Sequence, residues 1–458
     1  MAGNSTTDID LVQEVKTLLW GSSVKDDVFK RWSQGFFFSN DEPTALVQEA
    51  GGPCAVIAPV QAFILKQLLL QNDMTNWKEL SLEQCNLLLV SAMTEIVAQA
   101  TNRERPRYCI VHIPMQNSPT VNCQNVDTGE ADLQSDLSAE KADDVLQEGS
   151  TTINRLHLEP DFFHSQLRIL TVDSSEELRK FFSDKIEMLK NPFGVLLLLY
   201  TVVCTKGLAG MQQEMSDPTE PLIDSTYGYG SQSLINLMLT GRAVGHVWDH
   251  DQDIGGLKLR GIDKQNAVGF LALLEHLRYC EVGTFLKSPS HPIWVLGSET
   301  HLTVLFSSER RLVSSETPAE HARRVFQKFD PDGYKFISAN LLQDVLAELD
   351  LVADSEYVEI MKKKLDSESL GIILLAAFME EFFPDDPRMC PDTFTLFHYN
   401  GLPRSNIDNK VVYRRGQAVL LECTVKCILD SNPMLTVLQT KWPSIEIQWD
   451  KEQTPSLN

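Results

Sequence analysis

A short stretch of small residues around one cysteine is the part of this sequence best suited to chemistry. Residues 48–63 are QEAGGPCAVIAPVQAF, in which two glycines and a proline lead into Cys54 and an apolar run follows. A thiol at the start of a helix lies at the positive end of the helix dipole, which favours the nucleophilic thiolate. Gly51 and Gly52 allow a tight turn with backbone N–H groups free to bind an oxyanion. Buried cysteines are more often structural than catalytic, so this thiol is a candidate nucleophile.

A thiol nucleophile needs a base, and the ten histidines of the chain offer several. His301 is the first candidate because it begins the apolar stretch HLTVLF directly after the turn GSET. Side chains alternate along a strand, so His301 and Thr303 would share one face while Leu302 points to the other. On the pattern alone, a purely structural histidine in the turn is as good an interpretation.

The stretch GHVWDHDQDIGG offers His246 and His250 as alternative bases, together with three aspartates. These side chains are metal-ligand types, but their spacing is not that of an EF-hand loop, and the glycine pair is typical of an exposed turn. GSQSL has a leucine where a nucleophile elbow needs glycine, so Ser231 or Ser233 is predicted to cap a helix. We therefore predict no metal site and no cofactor.

The composition indicates an acidic, folded protein. Hydrophobic residues make up 43% of the chain and charged residues 22%, which is enough for a sizeable core. Acidic residues outnumber basic ones by 63 to 40, giving a net charge of −23, which argues against nucleic acid as a partner. Nine scattered cysteines and a polar start favour the cytoplasm and nucleus. The longest apolar run, 193–204, is too short for a membrane span and is predicted to be a buried strand.

Hydrophobic periodicity predicts both helices and strands along the chain. Helices are expected over 8–33, after Cys54 with Pro59 in the first turn, and over 81–100, 233–241 and 265–280. A polar loop is expected over 210–231. Strands are expected at 108–114, 291–297, 301–309, 393–401, 410–422 and 444–450. Cys423 and Cys427 have no second pair to complete a zinc site, so their segment is also predicted to be a strand.

Four longer motifs carry a family resemblance. GGPCAVIAPVQAF, YGSQSLINLMLTGRAV, KSPSHPIWVLGSETHLTVLFS and QTKWPSIEIQW resemble the MINDY family of deubiquitinating cysteine proteases, over nearly the whole chain. The resemblance implies an α+β fold, a papain-like cysteine protease variant in which the helix carrying the nucleophile packs on a β-sheet carrying the histidine. It also implies hydrolysis of isopeptide bonds in polyubiquitin, with a preference for the lysine linkage that targets proteins to the proteasome.

The resemblance assigns site residues one by one. It places the nucleophile at Cys54, the general base and acid at His301, and the oxyanion-hole glutamine at Gln48, an offset also found in papain-like thiol proteases. Three further residues are expected to contact the substrate, namely Gly51, Gly52 and Thr303. No asparagine or aspartate has a clear claim to orient His301, so a dyad and a third residue supplied by the fold both stay open.

The stretch FDPDGYKFIS resembles an EF-hand loop with departures that matter for calcium. Asp330 and Asp332 occupy the first and third ligand positions, but Lys335 replaces the glycine at position six and Leu341 the bidentate glutamate at position twelve. We predict an EF-hand-like helical insert over 317–384 without tight calcium binding. Its binding partner would be a protein, such as a distal ubiquitin.

The predicted organisation has three parts: a catalytic domain over 8–316 with a flexible acidic insertion at 115–152, the insert over 317–384, and strands over 385–458 that return to the catalytic sheet. The expected partners are polyubiquitin and ubiquitinated proteins, with neither nucleic acid nor membrane. Two other functions stay open: a non-catalytic scaffold in which Cys54 is structural, and an acyltransferase or transglutaminase-like enzyme that uses the same thiol with an amine acceptor.

Overall fold

The structure is a computed structural model. It describes residues 6–70, 77–101, 105–114, 159–314, 317–330, 333–384, 390–421 and 432–458. The predicted acidic insertion at 115–152 and the segment of Cys423 and Cys427 lie outside these residues.

The described residues form both helices and strands, in agreement with the predicted α+β class. The helices are α1 (Thr6–Trp20), α2 (Asp26–Trp32), α3 (Cys54–Leu70), α4 (Leu82–Ala100), α5 (Pro160–Gln166), α6 (Ser175–Asp184), α7 (Ile186–Lys190), α8 (Gly194–Lys206), α9 (Leu208–Glu214), α10 (Gln232–Thr240), α11 (Leu273–His276), α12 (Thr284–Lys287), α13 (Pro318–Phe329), α14 (Leu342–Glu348), α15 (Ser355–Leu365), α16 (Leu375–Phe382) and α17 (Pro433–Gln439). The strands are β1 (Phe37–Phe38), β2 (Leu46–Val47), β3 (Tyr108–His112), β4 (Arg168–Val172), β5 (Gln252–Ile254), β6 (Leu257–Leu259), β7 (Gly269–Ala272), β8 (Ile293–Gly297), β9 (Leu302–Phe306), β10 (Phe336–Ser338), β11 (Ile372–Leu374), β12 (Thr393–Tyr399), β13 (Arg414–Leu420) and β14 (Ile445–Trp449).

A six-stranded sheet lies at the centre of the fold, in the order β14-β13-β12-β9-β8-β7. β7 runs parallel to β8, and the other neighbours are antiparallel. β8 and β9 form a hairpin in which Gly297 pairs with Leu302. β12 pairs with β9 through Tyr399 and Val304. The end of β12 therefore lies next to the start of β9, where His301 is found.

Helix α3 packs against β8 and β9 of this sheet. It is buried on nearly every side, and its side chains share one apolar core with Leu302, Val304 and Phe306 of β9. The helix begins at Cys54, so Pro59 lies in the second turn and not in the predicted first turn. Burial of the surrounding apolar side chains outweighs the single backbone hydrogen bond that the proline cannot make.

The apolar run 193–204 forms most of α8 and not the predicted strand. Residues 194–204 are all buried. A helix that is buried on all sides has no polar face, so its periodicity does not distinguish it from a buried strand. No single helix in the described ranges is long and apolar enough to cross a membrane. α8 and α9 meet that criterion together by length and composition, but they bend by 82°.

The predicted helix over 265–280 is also wrong. Its centre is strand β7, followed by the four-residue helix α11. All four residues of β7 are buried, so the polar and apolar alternation of an exposed strand is absent. Gly269 permits the close approach of neighbouring elements, because a Cβ there would lie 2.3 Å from the Leu286 carbonyl oxygen and 2.5 Å from the Trp294 ring.

Two other segments are divided differently from the predictions. The predicted helix over 8–33 is two helices, α1 and α2, separated at Gly21, whose φ of 76° suits glycine. The predicted loop over 210–231 begins inside α9. Other predictions are confirmed, namely the helices over 81–100 and 233–241 and the strands at 108–114, 291–297, 301–309, 393–401, 410–422 and 444–450.

Residues 317–384 form a helical unit with an apolar cluster of its own. Thr317 caps α13 and forms a reciprocal capping box with Glu320. The short strands β10 and β11 pair antiparallel, with Ile337 opposite Ile373. After this unit, β12 returns the chain to the central sheet.

Candidate active site

The turn before α3, which contains Gly51 and Gly52, has little space for side chains. Gly52 has a φ of 126°, which side chains other than glycine rarely adopt. A Cβ atom at Gly52 would lie 3.0 Å from Nε1 of Trp32 and 3.1 Å from the carbonyl oxygen of Gly228. The predicted tight turn is therefore present, and it places Cys54 as the first residue of the helix.

Cys54 is a neutral thiol in this structure. The residue is 4% exposed, and its Sγ donates to the carbonyl oxygen of Gly52 at 3.7 Å. Burial raises the pKa of the thiol to about 11, while backbone N–H groups, chiefly those of Leu302 and Ala55, have the smaller opposite effect. The position at the helix start favours the thiolate, but desolvation of the charge has the larger effect on the pKa of Cys54 in the free protein.

His301 is the last residue of the turn between β8 and β9. The residue is 5% exposed, and its Nε2 lies 3.0 Å from Oδ1 of Asn400. Burial lowers the pKa of the imidazole to about 4, opposed by the Asn400 hydrogen bond and assisted by the charge of Arg404. His301 is therefore uncharged near neutral pH, and it can accept a proton.

The other hydrogen bonds of the Asn400 amide fix its orientation. Oδ1 accepts the backbone N–H of Leu402 at 3.0 Å. Nδ2 donates to the carbonyl oxygens of Ser456 at 3.1 Å and Asn458 at 3.5 Å. Because two carbonyls hold the amide nitrogen, the amide oxygen faces the histidine. An amide oxygen can only accept, so Nε2 of His301 carries the ring proton and Nδ1 has the free lone pair.

Cys54 and His301 are brought together through the first residue of β9. The backbone N–H of Leu302, which follows His301 in the chain, interacts with the Cys54 sulfur. Within the described ranges, no hydrogen bond joins Sγ of Cys54 to the imidazole, since the thiol donates to Gly52 and the ring to Asn400. The site thus contains a protonated thiol and a neutral base at one end of the sheet.

Gln48 follows β2 and lies in the same network. Its backbone N–H donates to the carbonyl of Gly401, the residue after Asn400, at 2.8 Å. Its Nε2 donates to the carbonyl of Ala50 at 2.8 Å, and the residue is 1% exposed. The amide has two hydrogens, and the structure commits one of them to Ala50. Gln48 is therefore held rigidly in the turn that leads to Cys54.

Asn400 is the member of the site that the sequence did not reveal. It lies 99 residues after His301, and the pairing of β12 with β9 brings it into contact. The sequence signal is an Asn-Gly pair at the end of an apolar strand, which more often marks a simple turn. No local spacing relates the two side chains, so the sequence left the third residue open.

Comparisons with known proteins identify the family. A family model described as "Deubiquitinating enzyme MINDY-3/4, conserved domain" matches residues 16–328. The chain belongs to the MINDY-3/4 family of deubiquitinating enzymes. It is 49% identical to the Drosophila melanogaster "Ubiquitin carboxyl-terminal hydrolase MINDY-3 homolog", over 99% of this chain and 84% of that protein.

Human MINDY-3 is 46% identical, over 98% of this chain and 100% of that protein. The mouse "Probable ubiquitin carboxyl-terminal hydrolase MINDY-4" is 31% identical, over 71% of this chain and 40% of that protein. No solved structure matches the chain. The resemblance to the MINDY family, and within it to the third member, is confirmed, and the chain is a deubiquitinase.

Gly51 and Thr303, which are both expected to contact substrate in this deubiquitinase, differ in how accessible they are. Gly51 is half-buried, and a Cβ there would meet only the Arg404 guanidinium, at 3.6 Å. Thr303 is fully buried within β9, and its Oγ1 has no hydrogen-bond partner among the described residues. Thr303 is therefore not open to substrate in this structure, because β9 is covered on both faces.

The alternative residues of the stretch GHVWDHDQDIGG contact groups other than Cys54, and the His250 ring packs edge-on against Phe285. The His246 ring stacks on Trp248 with centroids 3.9 Å apart. Asp249 accepts the backbone N–H of Thr284 at 2.7 Å, at the start of α12. Within the described residues, no group of three or more histidine, cysteine or acidic side chains is arranged to hold a metal ion. Ser231 caps α10 by accepting the N–H of Leu234, as predicted.

Proposed function

We propose that this deubiquitinase is a thiol hydrolase that cleaves isopeptide bonds in polyubiquitin. Cys54 is the nucleophile, His301 the general base and acid, and Asn400 the residue that orients the imidazole. The observation that carries the proposal is the His301–Asn400 hydrogen bond of 3.0 Å. It leaves Nδ1 as the nitrogen that can accept the proton of the thiol. In the Cys-His-Asn sites of papain-like proteases, the asparagine orients the imidazole in the same way.

The reaction follows from these roles. The Cys54 proton passes to Nδ1 of His301 as the sulfur attacks the carbonyl carbon of the C-terminal glycine of ubiquitin. The Gln48 amide and the backbone N–H of Cys54 donate to the resulting oxyanion. The imidazolium then protonates the departing lysine amine as the C–N bond breaks. Water, activated by His301, hydrolyses the thioester and restores the thiol.

Cys54 and His301 are both uncharged in the free protein near neutral pH, so we infer that substrate binding promotes the proton transfer between them. In the free protein the pKa of the Cys54 thiol is raised to about 11 and that of the His301 imidazole is lowered to about 4. Proton transfer from sulfur to nitrogen is therefore unfavourable until the two groups form a closely spaced pair. Binding of the ubiquitin C-terminus at the glycine turn supplies that rearrangement in our proposal.

The helical unit over 317–384 is proposed to be an EF-hand-like pair. Asp330 accepts the backbone N–H groups of Tyr334 and Lys335 at 2.9 and 2.7 Å. Asp366 accepts those of Leu370 and Gly371, also four and five residues later, at 2.8 and 2.7 Å. These carboxylates stabilise the backbone of their loops, and Lys335 and Leu341 at positions six and twelve argue against tight calcium binding. A protein partner, such as a distal ubiquitin, is the proposed alternative.

Three finer expectations rest on the family resemblance or on composition. They are the preference for the proteasome-targeting linkage, action on ubiquitinated proteins in cytoplasm and nucleus, and independence from nucleic acid and membrane. Digestion of a panel of diubiquitins of defined linkage tests the first of these. Equal cleavage of all linkages would contradict it.

Labelling with an ubiquitin probe that has an electrophilic C-terminus tests the central proposal. We expect a covalent adduct at Cys54, which Cys54→Ala abolishes and His301→Ala slows severely. Cys280→Ala is the matched control, since Cys280 is more exposed than Cys54. An adduct at another cysteine would refute the assignment of the nucleophile.

Two further measurements address the rival functions. If Cys54 has a structural role in a scaffold, Cys54→Ala should lower stability and leave cellular function intact. An acyltransferase would transfer ubiquitin to an added amine, whereas the proposed hydrolase releases free ubiquitin from a defined chain.

A further inference from the structure

Residues 456–458 lie directly against the amide that orients the histidine. The carbonyl oxygens of Ser456 and Asn458 both accept from Nδ2 of Asn400. These are the acceptors that determine which end of the amide faces His301. If they were lost, the backbone N–H of Leu402 would be the remaining partner holding the amide in its present orientation.

The same segment also holds the turn from which the histidine projects. Oδ1 of Asn458 accepts the hydroxyl of Ser298 at 2.5 Å and that of Thr300 at 3.3 Å. Oγ of Ser298 in turn accepts the backbone N–H of His301 at 3.0 Å. Asn458 thus contacts both sides of the site, with its backbone on Asn400 and its side chain on the histidine turn.

Internal contacts and an apolar anchor hold these three residues in place. Ser456 Oγ donates to the Asn458 carbonyl at 2.7 Å and accepts the Asn458 backbone N–H at 3.1 Å. Leu457 is 5% exposed and belongs to a second apolar cluster, separate from the core around α3, which also contains Leu305 and Trp449 of the central sheet. The segment is therefore a formed turn, fixed to the sheet by one buried leucine.

We propose that residues 456–458 form a positioning clasp, which sets the tautomer and the location of the His301 imidazole. This inference rests on the proposed function. With the clasp in place, Oδ1 of Asn400 faces Nε2 and Nδ1 is left for the thiol. Without it, the amide can rotate so that Nδ2 faces the ring, which requires Nε2 to accept and moves the ring proton to Nδ1. That tautomer cannot take a proton from Cys54.

Paired substitutions at Asn458 test the clasp while the backbone stays intact. Asn458→Ala removes the acceptor of the Ser298 and Thr300 hydroxyls, and kcat on a linkage-matched diubiquitin should fall by about 10- to 100-fold with KM unchanged. Asn458→Asp keeps an oxygen at that position, so it should restore kcat to within about threefold of wild type. Exposed Gln453→Ala is the control and should match wild type.

A second pair of substitutions tests the anchor. Leu457→Ala and Met434→Ala each remove a buried apolar side chain from the second apolar cluster, so both should lower the melting temperature. Leu457→Ala should also lower kcat at a temperature where both variants are fully folded, whereas Met434→Ala should not. Equal kcat values for this pair would overturn the clasp, and equal values for Asn458→Ala and wild type would overturn the part of it in which the Asn458 side chain positions the turn before His301.

Failure of the clasp and failure of the proposed function have different signatures. If Cys54→Ala and His301→Ala keep full activity, the proposed function is wrong. If both abolish activity while every clasp variant has the kcat of wild type, the clasp alone is wrong.

Discussion

The His301 imidazole and the Asn400 amide are joined by a 3.0 Å hydrogen bond between groups 99 residues apart in the chain. Every other contact of that amide agrees with a single orientation, with its oxygen toward Leu402 N–H and its nitrogen toward two carbonyls. The ring tautomer is therefore set by the fold. Under the proposed mechanism, this tautomer is what allows the thiol to give up its proton.

Substitution of Asn400 should affect turnover more than binding. Asn400→Ala removes the acceptor of the ring proton, so we expect kcat to fall by about 10- to 100-fold with little change in KM. Steady-state cleavage of a ubiquitin substrate with a fluorogenic leaving group measures both constants. Asn409→Ala changes an exposed asparagine of the same loop and should behave as wild type. An unchanged kcat in Asn400→Ala would remove Asn400 from the mechanism.

Alkylation of the free enzyme should reveal a neutral thiol. Since burial raises the pKa of Cys54 to about 11, the thiolate fraction is small at neutral pH and grows as pH rises toward that value. The rate of iodoacetamide modification at Cys54, followed by peptide mass spectrometry, should therefore rise steadily between about pH 7 and pH 10. A rate that is high and flat from about pH 5 to pH 8 would instead indicate a preformed thiolate–imidazolium pair and contradict this prediction.

The sequence was most informative where candidate site residues lie in motifs and in local elements such as a turn or a strand. Cys54 and His301 occur in long family motifs, Gln48 precedes one of these motifs by three residues, and the strand at 301–309 and the glycine turn are local features. The sequence failed where burial removes the periodic signal, as in α8 and β7. It also failed at Asn400, because the pairing of β12 with β9 is a tertiary contact across an intervening unit. The raised pKa of the Cys54 thiol could not be predicted from the sequence, because desolvation depends on the completed fold.

Gly52 should be far less tolerant of a side chain than its neighbour. Gly52→Ala puts a Cβ 3.0 Å from Trp32 Nε1 at a φ of 126°, at an expected cost of about 1–3 kcal/mol in unfolding free energy. Urea denaturation measures this loss, and probe labelling of Cys54 should slow with it. Gly51→Ala, which meets only a flexible guanidinium at 3.6 Å, is the matched control for stability. Equal stability of the two variants would show that the turn relaxes.

Buried His398 should make the protein sensitive to mild acid. Neither ring nitrogen has a hydrogen-bond partner among the described residues, and burial lowers the pKa of the ring from 6.5 to about 3. Below pH 6.5, His398 is therefore protonated in the unfolded chain, whereas it stays uncharged in the folded protein until the pH approaches 3. The stability that this histidine contributes is complete above pH 6.5 and is lost as pH falls toward 3, by about 2 kcal/mol at pH 5.

Urea unfolding of His398→Phe at pH 7.5 and pH 5 measures this effect. The variant should lose less stability than wild type between the two pH values, by about 2 kcal/mol. His276→Phe, which changes an exposed histidine, should keep the wild-type dependence. An identical pH dependence in His398→Phe would show that the ring finds a partner or a proton in the folded state.

The aspartates in the two loops of residues 317–384 should stabilise the loop backbone and should not bind calcium. Asp330→Ala leaves the N–H groups of Tyr334 and Lys335 without their acceptor, at a cost of about 1–3 kcal/mol. Thermal unfolding of wild type should differ by less than about 1 °C between EDTA and millimolar calcium chloride. Asp344→Ala, an exposed change on α14, should have little effect on stability. A calcium-dependent rise of several degrees in wild type, absent in Asp330→Ala, would contradict this prediction.

The pairing of β12 with β9 has a consequence for how the enzyme becomes active during synthesis. A fragment that stops at residue 328 includes the whole region matched by the family model, with both Cys54 and His301. It lacks β12, Asn400 and residues 456–458, so the strand after the histidine has lost its neighbour. Under the proposed mechanism, a nascent chain of this length lacks the residues that orient the imidazole, so we expect it to gain its full activity only after β12, Asn400 and residues 456–458 have been synthesised.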